Sequence, residues 1–210
     1  MARKLTMEEL HRMSVPEFKE AKKLPLTVVL DNVRSQNNIG SVFRTGDAFR
    51  VERICLCGIC STPPHRDIHK TALGAEDSVD WTYYEETADC VRELKAQGYK
   101  VYAVEQVDDS IKLDNLSILN TQHCEKREKR ANSKNCPIPS QSNVSKKFSI
   151  LNSKFAVIFG NEVEGVQEEL LPLCDGSIEI PQQGTKHSLN VSCAAAIVLW
   201  ELFKTTRERD

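Results

Sequence analysis

Three short segments combine residue types that can do chemistry. Asn38-Ile39-Gly40-Ser41-Val42-Phe43-Arg44-Thr45 starts where an apolar run gives way to helical spacing. A helix that begins there offers backbone N–H groups and a dipole that favour an anion. Gly40 lets a partner backbone or a ligand come close. Arg44, about one turn further on, can aim a planar guanidinium at a phosphate or a developing oxyanion. Taken alone, the segment reads first as an ordinary helix start with a surface arginine. The other two segments are Phe159-Gly160-Asn161-Glu162-Val163-Glu164-Gly165 and Ile180-Pro181-Gln182-Gln183-Gly184-Thr185-Lys186-His187-Ser188-Leu189-Asn190-Val191-Ser192. Each begins at the end of a β-branched apolar run and ends at the start of a helical pattern. Two polar, glycine-bearing loops at strand ends read as the walls of one ligand site in the last third of the chain.

Other chemistries fit the residues less well. Gly184-Thr185-Lys186-His187-Ser188 lacks the upstream glycine of a phosphate loop, since Glu179 stands there, and its Gly-Lys-Ser is not contiguous. His187-Ser188 lacks the Gly-x-Ser-x-Gly frame of a nucleophile elbow. Cys57-x-x-Cys60 with His65 and His69 offers four metal-ligand types, but the Cys60-to-His65 gap is short for a finger. Cys55 and Cys57 fall on one face of a strand, as packing residues do. No metal is expected.

The elements that must position these loops alternate. Leu26–Leu30 reads as a buried strand, followed by a helix through Ile39, Val42, Phe43 and Phe49, with Asn38 near its N-cap. Arg53–Ile59 is a second strand, broken by Pro63-Pro64, and a helix-compatible segment runs through His69 to Ala72. Ala88, Val91 and Leu94 make a helix that Gly98 can close, followed by the strand Val101–Val104. Phe155–Phe159 and Ile178–Ile180 are two more strands, separated by a short helix that Pro172 limits. Val191–Phe203 is the last helix. This order predicts an α/β fold with a mostly parallel sheet and helices on both faces. In such sheets ligands bind beyond the C-terminal strand ends, where all three segments fall.

Residues 1–24 are charged, with a helical spacing at Met7, Leu10 and Met13, and are expected to form a short N-terminal helix or arm before one domain at 25–210. Residues 117–153 are expected to be an insertion in that domain. Between Thr121 and Ile150 they carry seven Lys or Arg against two Glu, and they have no sustained periodicity. They suit either solvated filler or a basic arm on RNA phosphates. With 28 Lys and Arg against 30 Asp and Glu, the chain has no global attraction to nucleic acid, so RNA contact must be local. Eight cysteines without an apolar leader imply reduced thiols and a cytoplasmic protein. The apolar stretch at Ala194–Trp200 is too short to span a bilayer, so no membrane is expected.

Together, Asn38-x-Gly40-x-x-x-Arg44-Thr45, Phe159-Gly160-x-Glu162-x-x-Gly165 and Ile180-Pro181-x-x-Gly184-x-x-x-Ser188-Leu189-Asn190-Val191-Ser192 resemble the three ordered motifs of the SpoU (TrmH-like) branch of SPOUT RNA methyltransferases. The resemblance spans residues 25–205 apart from the insertion. It implies a SPOUT fold with a C-terminal deep trefoil knot, a rare exception to the unknotted-chain rule. It also implies a homodimer with its active site close to the subunit interface. The implied activity is transfer of a methyl group from S-adenosylmethionine to a ribose 2′-hydroxyl of tRNA or rRNA. The short segment ahead of the domain favours tRNA.

By position in the motifs, Gly160, Ile180 and Leu189 are expected to line the cofactor pocket through backbone groups, with Phe159, Gly165, Pro181 and Gly184 in the same loops. Arg44, Asn38, Glu162, Ser188 and Asn190 match the family's polar catalytic and structural positions. Arg44 is expected to stabilise the developing alkoxide rather than act as a base, its pKa being above about 12. Ser188 and Asn190 suit positioning of ribose or Arg44. Glu162 suits either charge neutralisation or loop structure. Arg34 and the stretch 62–70, with His65, Arg66 and Lys70, are candidate contacts to RNA backbone or a solvated surface. The rival reading is a non-catalytic RNA-binding protein that retains the fold.

Overall fold

In the computed structural model, which describes residues 3–6, 8–115 and 154–207, apolar runs become parallel strands. In chain order the elements are α1 (Val15–Glu20), β1 (Leu24–Asp31), α2 (Gln36–Ala48), β2 (Val51–Cys57), α3 (Arg66–Ala72), α4 (Ala75–Ser78) and β3 (Asp80–Tyr84). There follow α5 (Thr87–Ala96), β4 (Tyr99–Val104), β5 (Ile111–Lys112), β6 (Lys154–Phe159), β7 (Gly176–Glu179) and α6 (Val191–Arg207). The seven strands form one sheet in the order β3-β2-β1-β6-β4-β7-β5, and every pairing is parallel.

Strand alternation sorts the core into two layers, because successive side chains leave a strand on opposite faces. Val28, Leu30, Ile54, Leu56, Phe155, Val157 and Phe159 pack with Ile39, Val42 and Phe43 of α2 and with Ala195, Val198 and Leu199 of α6. The intervening Val29, Cys55, Cys57, Ala156 and Ile158 pack with Cys90, Val91 and Leu94 of α5 and with Leu170. Helices thus cover both faces, as the alternating pattern predicts. The pairings put β6 between β1 and β4, with β7 beyond β4. All strands point the same way, so the segments that follow β1, β6, β4 and β7 emerge side by side along one edge of the sheet.

Several boundaries differ from the sequence reading. The N-terminal helix covers Val15–Glu20, beyond the spacing that ends at Leu10 and Met13, because Ser14 and Glu17 form a capping box there and Pro16 sits in its first turn. Phe18 anchors it in the core. Ser35, not Asn38, is the N-cap of α2, and its hydroxyl accepts from the N–H of Asn38. The second strand stops at Cys57, since Gly58 turns the chain with φ 62°. Pro172 lies inside a 3-10 turn, Glu168–Leu173, and does not end an α-helix. β7 begins at Gly176 and leaves Ile180 beyond its end. The expected basic insertion at 117–153 lies outside the described residues.

Gly40 has a partner backbone against it. A Cβ there would stand 2.2 Å from both Ile68 O and Thr71 Oγ1, so the glycine lets α3 lie directly on α2. No helix among the described residues is long and apolar enough to cross a membrane.

Candidate active site

Glu162 joins the first two motifs. Its carboxylate accepts from the backbone N–H of Arg34 at 3.1 Å and of Ser35 at 3.0 Å, and from Asn38 Nδ2 at 3.1 Å. It therefore receives the turn that leads from β1 into α2. Burial alone would raise its carboxyl pKa, but the N–H groups of Arg34, Ser35 and Glu162 itself, with the Asn38 amide, hold it below the ordinary value of 4.5.

Asn38 passes the connection to the third motif. Its Oδ1 accepts from Asn190 Nδ2 at 3.1 Å. Asn190 in turn caps α6: its Oδ1 accepts from Ser192 N at 2.9 Å and Ser192 Oγ at 2.6 Å. A continuous relay thus runs from the start of α2 through Glu162, Asn38 and Asn190 to the start of α6.

Gly160 shapes the loop that carries Glu162. Asn161 and Gly165 exchange backbone hydrogen bonds of 2.9 and 3.0 Å and close the loop into a ring. A Cβ on Gly160 would lie 2.0–2.1 Å from backbone atoms of Gly165 and Val166, so only glycine fits. Asn161 ties the ring to the end of β1 by donating from Nδ2 to Asn32 O at 2.7 Å.

Beside this relay lies a cleft of about 500 Å³. Among the sequence-predicted cofactor residues, Phe159, Gly160, Gly165, Ile180 and Leu189 line it, while Pro181 and Gly184 lie outside its lining. Glu162, Ser188 and Asn190 also line it. Its apolar wall comes from residues such as Val104, Phe159, Ile178, Ile180 and Leu189. Four glutamates, Glu105, Glu162, Glu164 and Glu179, are among its lining residues, and among its described lining there is no lysine or arginine. Such a lining repels phosphates and attracts a cation carried on an apolar body.

Asn161, Glu105 and Gln106 escaped the sequence reading. Glu105 and Gln106 directly follow the apolar run of β4, so the strand-end rule that picked the other loops applies to them too. Arg44 does not reach the cleft within one chain. It is exposed on α2, and its Cα is about 9 Å further along the helix axis than that of Asn38 at roughly 1.5 Å per residue.

The candidate RNA contacts sit near the start of α2. Arg34 is exposed in the turn held by Glu162, and Arg66 and Lys70 are exposed on α3. His65 caps α3 by accepting from Asp67 N. Gln36 Nε2 donates to Ser61 Oγ at 3.0 Å, and Thr71 Oγ1 donates to Asn37 O at 2.9 Å. This fixes the 58–72 stretch against the turn that carries Asn38.

The cysteines and histidines weighed as metal ligands are engaged separately. Cys60 is buried, donates to Leu30 O and accepts from Val33 N, and burial pushes its thiol up to about 12. Cys57 lies in the core, and His69 pairs with Glu76. Among the described residues no three His, Cys, Asp or Glu side chains gather into a set that could hold a metal ion.

Comparison with known proteins follows the same boundaries. The SpoU rRNA Methylase family matches residues 25–200. A tRNA (guanosine(18)-2′-O)-methyltransferase of Thermus thermophilus is 30% identical over 193 residues, which cover 92% of this chain and 81% of that one. A 23S rRNA (guanosine-2′-O-)-methyltransferase RlmB of Neisseria meningitidis is 26% identical, over 88% of this chain and 59% of its own. Among solved structures, an A. aeolicus TrmH/SpoU tRNA modifying enzyme superposes with a TM-score of 0.68 at 22% identity, covering 93% of this chain and 82% of that one. An AdoMet-bound rRNA methyltransferase of Sinorhizobium meliloti gives 0.65 at 23% identity, over 89% and 59%. These two likenesses establish a shared fold.

Proposed function

Since this chain belongs to the SpoU rRNA methylase family, we propose that it transfers a methyl group from S-adenosylmethionine to a ribose 2′-hydroxyl of RNA, with tRNA as the favoured substrate. The observation that carries the reading is the relay Glu162–Asn38–Asn190, which ties the first motif to the two that line the cleft. The cleft suits this cofactor, because a lining rich in glutamate and without lysine or arginine favours a cationic ligand and its apolar wall accepts a flat, poorly charged body. When bound, the cofactor supplies an electrophilic methyl on a sulfonium whose positive charge is lost on transfer.

The residues of the chain contribute orientation and charge. The closed ring Asn161–Gly165 and, from the third motif, Ile180, Ser188 and Leu189 are the residues that would hold the cofactor. Ser188, in the cleft lining, presents a hydroxyl that can bond the ribose and fix its 2′-oxygen, which is the orientation such a displacement needs. Arg44 stabilises the alkoxide that forms as the 2′ proton leaves and contacts the adjacent phosphate. Because Arg44 is exposed outside its own cleft, this role fits a homodimer in which it serves the neighbouring chain's site. Exposed Ile197 and Trp200 on α6 supply apolar surface for that contact. The same C-terminal loops are read as the deep trefoil knot that the family resemblance implies. Arg34, His65, Arg66 and Lys70 are read as contacts to RNA backbone.

The tRNA preference is supported by likeness in sequence: the Thermus tRNA enzyme is 30% identical to this chain and the Neisseria rRNA enzyme 26%. Purified protein given methyl-labelled S-adenosylmethionine and separate unmodified tRNA and rRNA pools tests the reading, with digestion and mass spectrometry locating the label. A 2′-O-methyl nucleoside in the tRNA pool is expected. Label on a base sinks the ribose assignment, and bound cofactor without label in either pool favours the non-catalytic RNA-binding alternative.

A further inference from the structure

Glu105 and Gln106 leave the end of β4 between the two loops that wall the cleft, and both line it. The backbone N–H of Glu105 donates to Ile178 O at 3.0 Å, which fixes the residue to the end of β7. Its carboxylate accepts from Gln106 N at 2.9 Å and from Val166 N at 3.1 Å, immediately after the Asn161–Gly165 ring. Gly165 leaves room for it, since a Cβ there would stand 2.2 Å from Glu105 Oε2. On the other side, Gln106 Nε2 donates to His187 O at 2.8 Å. The Pro181–Asn190 stretch that includes His187 is exposed throughout.

We propose that Glu105-Gln106 is a strut that sets the distance between the two cofactor loops, making both residues positioning residues for cofactor affinity. The inference rests on the reading that the cleft takes S-adenosylmethionine. A carboxylate suits position 105 because its two oxygens accept two N–H groups at once. Glutamine there would offer one acceptor and set its own amide donors against the second N–H. Gln106 needs a donor at the reach of its side chain to catch the His187 carbonyl. Leucine of similar size keeps the bulk and loses the bond.

The test is cofactor binding by calorimetry, with steady-state kinetics on tRNA, for wild type, Glu105→Gln and Gln106→Leu. Each variant is expected to raise Kd and KM for S-adenosylmethionine about tenfold, the loss of one hydrogen bond to a charged or well-placed group. At saturating cofactor kcat should stay within about twofold, and Tm within a few degrees. A residue that only supports the fold gives the opposite split: lower Tm and active fraction with unchanged KM, and that result overturns the strut. So does unchanged behaviour in both variants. If wild-type protein binds no S-adenosylmethionine, the reading of the cleft fails first, and the strut with it.

Discussion

The carboxylate of Glu162 is a backbone acceptor before it is anything else. Two N–H groups and an amide converge on it, so the turn into α2 depends on its being ionised. Glu162→Gln should therefore cost about 1 kcal/mol at pH 7, a hydrogen-bonded charge discounted for partial exposure to water. The sign with pH is fixed. The folded carboxyl is held below 4.5, so its contribution is complete above that value and fades as pH falls through the depressed folded pKa. Urea melts of both proteins should show a gap at pH 7 that closes in acid. A gap that persists unchanged to pH 3 would mean that packing, not charge, is what Glu162 supplies. Asn38, Glu162 and Asn190 were legible as polar positions in three motifs. Their contacts were not, because Asn38 meets Glu162 across 124 residues and Asn190 across 152, and side-chain types at such separations say nothing of who faces whom.

Elements were legible where burial imposes a pattern. β1, β2 and β6 are buried along most of their length and β4 at alternate residues, and all four read as apolar runs. β3 escaped because it is an edge strand whose residues are mostly exposed, so no face demanded apolar side chains. The helix at Val15–Glu20 was misplaced because a capping box and one buried phenylalanine decided it, against the weaker spacing of Met7, Leu10 and Met13. Within the site, the ring after β6 leaves no room for a side chain at position 160. Gly160→Ala should destabilise the protein by about 1–3 kcal/mol through backbone overpacking, and weaken cofactor binding beyond what that loss explains. Urea melts beside calorimetric titration separate the two effects. Cofactor affinity equal to wild type would refute the ring as a wall of the site.

For the molecule as a whole, the position of Arg44 sets the sharpest demand. If it serves the cleft of a neighbouring copy, two inactive variants can repair each other. Arg44→Ala removes the guanidinium, and Ile180→Lys sets a cation into the cleft. Unfolded, mixed in equal amounts and refolded, the two should recover about a quarter of wild-type methyl transfer, because half of random dimers are mixed and each carries one intact site. No recovery, with mixed dimers verified by mass, would place Arg44 in its own chain's site. The strand-end logic found the edge of the sheet where the cleft lies. The acidic lining was not legible, since its four glutamates come from the end of β7 and from the segments after β4 and β6, which only the strand order brings together.

The relay also has a place in time. Asn38 belongs to the first strand-helix unit, yet its partner Asn190 is the residue that caps the last helix. A chain still being synthesised can pair its early strands long before residue 190 exists, because domains gather structure as they emerge. The cleft cannot close until then. Competence to modify RNA therefore waits on the docking of α6, when parts of the chain made far apart in time first touch.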